Sequence, residues 1–486
     1  MFNVSIRSIA SILWRNSKMK KNYIGNYWSR LSESAICELV ELFGDKMSWP
    51  ETGLSYKWRD RTFNQWRTFW IFLGQILSYT QACAEAVHKA QIWLLYSEQK
   101  KISSKTTAYC NARNRLDKEC LDKLNEQIIS QQEQTIQSQY LWCGRDVKVV
   151  DGTCVSMPDT EKNQELYPQP SGQAEGCGFP VMKIVASFSL ATGSILAFRT
   201  GNLHNHERLI WHKMWDCYEE GDVVLADRGF CSLCDFELLS QKGVDCVMRL
   251  HQRRKKHDII EKFSSNDYLV SWKKEKDNKR PDWITPQQWE QIPPEITVRY
   301  ITVIIENPGF RTQSFVVATT LLDPEKYPPQ AIADLYRKRW MAELFLRDIK
   351  TTMHMDILRC KSPEMIHKEL IIFIIAYNLI RGLIWESALK KGIDPYQISF
   401  KEAMVAICHW SLFFTFTGNR NENKKKIEIL MLIITTCIKP NRKKHRKEPR
   451  AIKRRPKSYQ YLTKPRDQFV EIPHRSKYTK DKYNEI

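Results

Sequence analysis

The 486-residue sequence lacks an apolar run long and clean enough to read as a membrane span. Leu370–Trp385 is broken by Asn378 and Arg381. Ile427–Ile438 is too short for a bilayer that needs about 20 apolar residues. Both read as buried helices, and no membrane partner is expected. A secretory leader with a cleavage site is missing as well. Met1–Leu31 carries Lys and Arg but no acid, and reads as a basic extension or as an early start with Met19 the true one. The 14 cysteines lack the spacing of a disulfide framework and fit free thiols in a reducing cytosol. Cys231 and Cys234 have zinc-ligand spacing but no second close pair, and nothing fixes His204 or His206 beside them. Two helix-turn thiols are therefore the expectation, not a zinc site. No internal repeat is visible. Acid is scarce: 55 Asp and Glu against 75 Lys and Arg leave a net charge of +20. That excess suits a polyanion without saying which one.

What is present divides the chain by texture. Residues 1–135 are rich in helix formers, with helices expected in Phe72–Leu95 and Ala112–Leu124. From 136 to 250 the order is strand, hairpin, helix, strand, helix, strand. Val147–Val150 runs into Asp151, and Ala191–Ser194 joins Ile184–Leu190 to Ile195–Arg199. A helix is expected over His206–Glu220, Val223–Ala226 leads into Asp227, and Leu233–Gln241 precedes the strand Val244–Leu250. Residues 251–318 are polar and dotted with tryptophan, with strands at Ile301–Ile305 and Ser314–Thr319, and read as a β-rich insertion. Residues 319–400 return to helix, one long helix over Gln330–Thr352 and another over Pro363–Leu389. Residues 401–486 end in a basic tail containing Arg442, Lys443, Lys444, Arg446, Lys447, Arg450, Lys453, Arg454 and Arg455. The fold class is α/β, a mixed sheet flanked by helices.

Asp151 and Asp227 each follow a β-branched run, where mixed sheets collect functional groups. Either one alone reads equally well as a turn or capping residue. The helix after Pro329 is more informative. Tyr336, Arg339, Glu343, Arg347 and Lys350 are spaced three, four, four and three apart. At 3.6 residues per turn they share one narrow face. Ion pairs between Glu343 and its neighbours at i±4 would explain part of that stripe. Chemistry explains more. Two Mg²⁺ ions held by carboxylates activate a water and stabilise a leaving oxygen in phosphodiester cleavage. Basic groups on the same face would hold phosphates, and the aromatic ring offers a stacking surface.

At these residues the sequence resembles the insertion-sequence-four (IS-four) family of DDE transposases. Tyr336, two residues, Arg339, three residues, Glu343, six residues and Lys350 match that family's helix signature without departure. VVDGTCVSMPDTEKNQELYPQPSGQ, GDVVLADRGFCS, LLDPEKYPP and DIKTTMHMDILRCKSPE are similar to its other motifs, and the likeness runs over about 70–390. The resemblance implies a ribonuclease-H-like catalytic domain in two parts, 136–250 and 319–400. It implies catalytic, metal-binding Asp151, Asp227 and Glu343 with two Mg²⁺ ions per site, Mn²⁺ substituting. The partners it implies are terminal inverted repeats and target DNA, bound by a homodimer on DNA. Nicking, a hairpin intermediate and strand transfer follow from the same likeness, in the bacterial cytoplasm with the nucleoid.

Tyr336, Arg339, Arg347, Lys350 and Arg228 would contact DNA. Phe315, spaced like the family's base-stacking aromatic, is the candidate for that role, although relatives carry Trp there. Trp272, Trp283 and Trp289 are alternatives, and a plain core position for Phe315 is equally open. The helical 1–135 region, with Lys100, Lys101, Lys105, Arg113 and Arg115, would read the transposon ends. The rival reading is a catalytically inactive or domesticated DNA-binding derivative.

Overall fold

The computed structural model describes residues 42–50, 62–252, 258–274, 280–305, 313–410, 420–440 and 462–469, with Leu39 and Arg254. The Met1–Leu31 stretch and the basic run 442–455 lie outside them. The described strands are β1 (Val147–Ser156), β2 (Val181–Ser189), β3 (Ile195–Asn202), β4 (Val223–Ala226) and β5 (Asp245–Arg249). They continue with β6 (Asp258–Ser264), β7 (Asp267–Lys273), β8 (Glu295–Ile305) and β9 (Gln313–Thr319). They form a single sheet of order β3-β2-β1-β4-β5-β9-β8-β7-β6. β1, β4 and β5 run parallel, and the other pairings are antiparallel.

The insertion strands thus extend the sheet of β1 to β5 instead of forming a layer of their own. β9 returns beside β5, with Arg249 opposite Val317. Buried Arg299 on β8 locks this wing in place. Its Nε and Nη2 donate to Asp267 at 2.7 and 2.6 Å, and its Nη1 donates to the carbonyls of Leu321, Asp323 and Tyr327. The connector leading to the next helix is thereby tied to the wing.

Strand periodicity separates the two faces. On β1, Val147, Val149 and Val155 join one core while Val150 joins another. The four residues of β4 are all buried, as expected for a parallel strand covered on both sides. One face is covered by α6 (Glu207–His212) and α7 (Leu233–Gln241). The other carries α9 (Pro329–Arg337), α10 (Trp340–Arg347) and α11 (Pro363–Lys391), with α12 (Phe400–Trp410) and α13 (Arg420–Ile434) beyond. The remaining described helices are α1 (Gln65–Leu77), α2 (Cys83–Glu98), α3 (Thr107–Asn114), α4 (Lys118–Glu133), α5 (Glu161–Leu166) and α8 (Pro286–Gln291).

α1 to α4 share the hydrophobic core of the α11 face. Asn378 of α11 is the polar hub there. Its side chain donates to Asn125 of α4 and bonds both backbone groups of Ile195 on β3, while Gln132 donates to its carbonyl. The two polar residues that interrupt the apolar run in sequence are therefore both used inside it, because Arg381 pairs with Asp348 at 2.7 Å. α11 is long and apolar enough to cross a membrane, yet 94% of its most apolar window is buried within the protein.

Several helices are shorter than the sequence predicts. Phe72–Leu95 is split between α1 and α2, because the Ser78 hydroxyl donates to the Gln75 carbonyl and accepts from Gln81 N–H. Gln81 takes φ +52, which a continuing helix does not permit. Ala112–Leu124 is split between α3 and α4, where Asp117 caps α4 by accepting from Glu119 N–H. His206–Glu220 retains only α6 and a short 3₁₀ turn. The long helix after Pro329 divides at Lys338 and Arg339, whose N–H groups bond three residues back instead of four. It ends in a π-turn over Asp348–Thr352.

Candidate active site

Asp151 does not sit at a strand end. β1 continues past it to Ser156, because its hairpin with β2 keeps pairing after the parallel contact with β4 has stopped at Val149. Asp227 follows the last residue of β4 and caps the 3₁₀ turn Arg228–Phe230, its Oδ1 accepting from Arg228 N–H at 2.7 Å. Val149 aligns with Leu225, and Ala226 with Met248. Two residues on, Asp151, Asp227 and Arg249 fall in a row on the face of Val149, Leu225 and Val247, the face covered by α10. Gly152 turns the other way, and a Cβ there would lie 2.8 Å from the Glu207 carboxylate.

α10 lies across β1 and brings Glu343 and Arg339 over the row. Arg339 Nη2 donates to Glu343 Oε1 at 2.7 Å, and its Nη1 lies 3.8 Å from Asp151 Oδ2. Burial works against the charge of Arg339, but Glu343, Tyr336, Asp151 and Asp227 outweigh it and hold the proton more firmly than usual. Burial pushes the Asp151 carboxyl up to about 6, with the negative charges of Glu343 and Asp227 adding to it. The Gly152 N–H and Arg339 act in the opposite direction. The three carboxylates are thus close enough to feel one another, with one guanidinium among them.

Hard carboxylate oxygens, partly buried and short of positive charge, suit a divalent cation. Among the described residues, however, no three His, Cys, Asp or Glu side chains converge closely enough to hold one ion. Glu343 is engaged by Arg339 instead.

The other residues singled out in the sequence divide. Tyr336 is buried at 5% exposure, its ring 5.6 Å from that of Phe315, so it has no open face on which a base could stack. Phe315 is half-buried on the same side, with the Arg249 guanidinium 5.2 Å above its ring. Lys350 lies on the π-turn and acts electrostatically on Cys154 of β1. Arg347 points to solvent, 3.6 Å from Asp348. Arg228 is also outside the cluster and donates to Gln252. Trp340, next to Arg339, is 56% exposed.

Trp272 is buried and donates to Tyr300, while Trp283 packs on His212 and Arg208 and Trp289 on Lys274. Cys231 and Cys234 are buried in the α7 core, which pushes their thiols up to about 12 and about 11. The His206 ring accepts from Arg208 N–H as a helix cap, and the His204 N–H bonds Asn202. Arg249 escaped the sequence reading altogether. Its only signal was its place at the end of a strand beside the one that leads to Asp227.

The helix is held from below. A Cβ on Gly193, at the β2–β3 turn with φ +76, would meet the Phe345 ring at 3.1 Å. Tyr377 donates to the Gly193 carbonyl, and Arg381 bonds both Tyr377 and Asp348. The predicted hairpin tip is therefore the seat of the helix that carries Glu343.

Residues 142–379, which contain Asp151, Asp227, Arg339 and Glu343, match the family described as "Transposase DDE domain". The chain is 26% identical over 329 residues to the transposase InsG of insertion sequence element IS4 from Escherichia coli K12, covering 67% of this chain and 71% of that one. It is 22% identical over 367 residues to the transposase of IS231F from Bacillus thuringiensis subsp. israelensis, covering 66% and 73%. A solved structure, the piggyBac transposase synaptic complex with hairpin DNA, aligns at 12% identity with a TM-score of 0.39, covering 83% and 84%. Motif spacing and relatives agree on a DDE transposase similar to those of the insertion-sequence-four family.

Proposed function

We propose that this transposase excises an insertion sequence and joins it to new DNA by metal-dependent phosphodiester chemistry at Asp151, Asp227 and Glu343. The observation that carries this is Arg339, which bonds Glu343 of α10, lies 3.8 Å from Asp151 and feels the charge of Asp227 in the same row of the sheet. We read the β1–β5 part as a ribonuclease-H-like unit. Two Mg²⁺ ions, or Mn²⁺ in their place, would supply an activated water or 3′-hydroxyl and stabilise the leaving oxygen.

The chain's own groups do the rest. Asp151 must lose its proton to serve as a ligand, and Glu343 must leave Arg339. The freed guanidinium then has the planar, two-pronged geometry that suits a phosphate. Lys350 and Arg347, further along the same face, track the strand away from the cut. Arg228 lies beside Asp227 and needs only to release Gln252 to reach DNA. Phe315 presents an aromatic wall to the end of the DNA, while Tyr336 supports it from behind.

The protein would act as a dimer on paired transposon ends, through nicking, a hairpin and strand transfer, in the cytoplasm with the nucleoid. The α1–α4 region, with exposed Lys100, Lys101, Lys105 and Arg115, would contact the terminal repeats. Arg113 cannot take part: it is buried, stacked over Phe72 and Tyr109.

The test is cleavage of a labelled duplex carrying the sequence that flanks the coding region, with Mg²⁺, with EDTA, and with Glu343→Gln. Metal-dependent nicks and hairpins that vanish in the variant are expected. Tight binding without cleavage under either metal would make the protein an inactive DNA-binding derivative.

A further inference from the structure

We propose that Arg249 is a phosphate-binding residue of the active site, gripping the DNA strand next to the bond being cut. The proposal rests on the transposase reading above. Arg249 is the last residue of β5 and stands beside Asp227 in the row that begins at Asp151. Parallel neighbours in register point to the same face, and strands lie about 4.8 Å apart. The guanidinium is therefore carried at the level of the catalytic carboxylates.

Its surroundings differ from those of four carboxylate-paired arginines of this fold. Arg339 has Glu343, Arg381 has Asp348, Arg299 has Asp267, and Arg145 has Asp245. Arg249 is half-buried and has no carboxylate or hydrogen-bonding partner among the described residues. Its contact is the face of Phe315, and its charge is felt by the Tyr336 hydroxyl. Asp227, the nearest acid on the adjacent strand, takes the Arg228 N–H instead of pairing with it.

A cation drawn partly out of water without a counter-charge is unfavourable, and an arriving anion relieves that cost. Stacking on Phe315 holds the guanidinium plane while its N–H edge stays available, which is the geometry of two-pronged phosphate binding. The anion that this enzyme brings to the Asp227 side of the sheet is the DNA backbone. Arg339 and Arg249 would then hold the strand from opposite ends of the row.

The experiment uses full-length protein carrying Glu343→Gln, so that DNA is bound but not cut. Binding to the flanking duplex and to a scrambled duplex is measured across a range of salt concentrations. Neutralising one phosphate contact lowers the slope of log K against log salt by about 0.9 and weakens both duplexes alike. Arg249→Gln should show that change, with affinity about 10- to 100-fold lower at low salt. Arg249→Lys should keep the slope and lose part of the affinity, since it retains charge but not the planar fork. If Arg249→Gln does not fold, the Lys variant decides, and unchanged affinity there overturns the proposal. An unchanged slope in folded Arg249→Gln also overturns it and leaves Arg249 as a prop for Phe315. Failure of the wild type to cut with Mg²⁺ would instead count against the transposase reading, and the salt slope remains readable in that case.

Discussion

The two sides of α10 are built on opposite rules. Beneath it, Phe345 fills the space over Gly193, and Asp348, Arg381 and Tyr377 form a buried network in which each charge has a partner. Above it, Asp151 is left partly buried without a full counter-charge, and Arg339 is shared between two acids. The lower side is satisfied and therefore rigid. The upper side is frustrated in the metal-free state and therefore ready to bind. The difference shows how one short helix can be stable and reactive together.

The sharpest way to break the comparison is Glu343→Gln. Losing a carboxylate proposed to bind metal should cost at least about 10³-fold in cleavage, since such electrostatic stabilisation is worth several kcal/mol. Melting temperature should hardly change, and a gel assay beside a thermal melt reads both.

Arg381→Ala should show the reverse pattern. Stranding Asp348 in the core should cost about 3–5 kcal/mol in denaturant unfolding. Activity per folded molecule should fall much less than in Glu343→Gln. If Arg381→Ala left stability intact, the lower side would not be the anchor described.

pH sharpens the contrast. Asp151 has a folded value of about 6 against an ordinary 3.8. The folded state therefore holds this proton where the unfolded state has lost it. Metal-free stability should fall as pH rises between those values, by an amount on the order of 1–3 kcal/mol. Asp151→Asn should remove this dependence and raise the melting temperature above pH 6. Mg²⁺ should stabilise the wild type there but not the variant. Cleavage at limiting Mg²⁺ should decline below about pH 6, as protons compete for the carboxylate.

Gly193→Ala tests the seat of the helix at smaller cost. A non-glycine residue at φ +76 loses about 1–2 kcal/mol, and the Phe345 ring must shift. Reduced stability with a modest loss of cleavage is expected, read in paired melts and cleavage time courses.

The parts of this site that were legible in sequence are those whose signal is local. The stripe from Tyr336 to Lys350 was readable because helix periodicity turns spacing into a face. Val223–Ala226 and Leu233–Gln241 coincide with β4 and α7, because an apolar run and a capped helix declare themselves within a few residues. The continuation of the sheet through the insertion was not legible, since β9 pairs with β5 only after β6, β7 and β8 have intervened. Arg249 was hidden for the same reason, because its importance lies in register with Asp227. The breaks at Gln81 and at Lys338–Arg339 depend on local backbone geometry that residue patterning does not encode. The burial of Tyr336 and Arg113 needed tertiary neighbours, and their polar ends alone pointed the other way.

The adjacency of β5 and β9 has a consequence for how such enzymes diversify. The chain leaves the β1–β5 part of the sheet after Arg249 and returns beside it as β9, with Leu250 N–H bonded to the Val316 carbonyl at 2.9 Å. The exit and entry points are already pinned together. Lengthening or replacing what lies between them changes the closure entropy only slowly. Lineages can therefore trade this wing for a larger, smaller or differently shaped one while the carboxylates stay where they are, so that the grip on DNA can evolve faster than the chemistry.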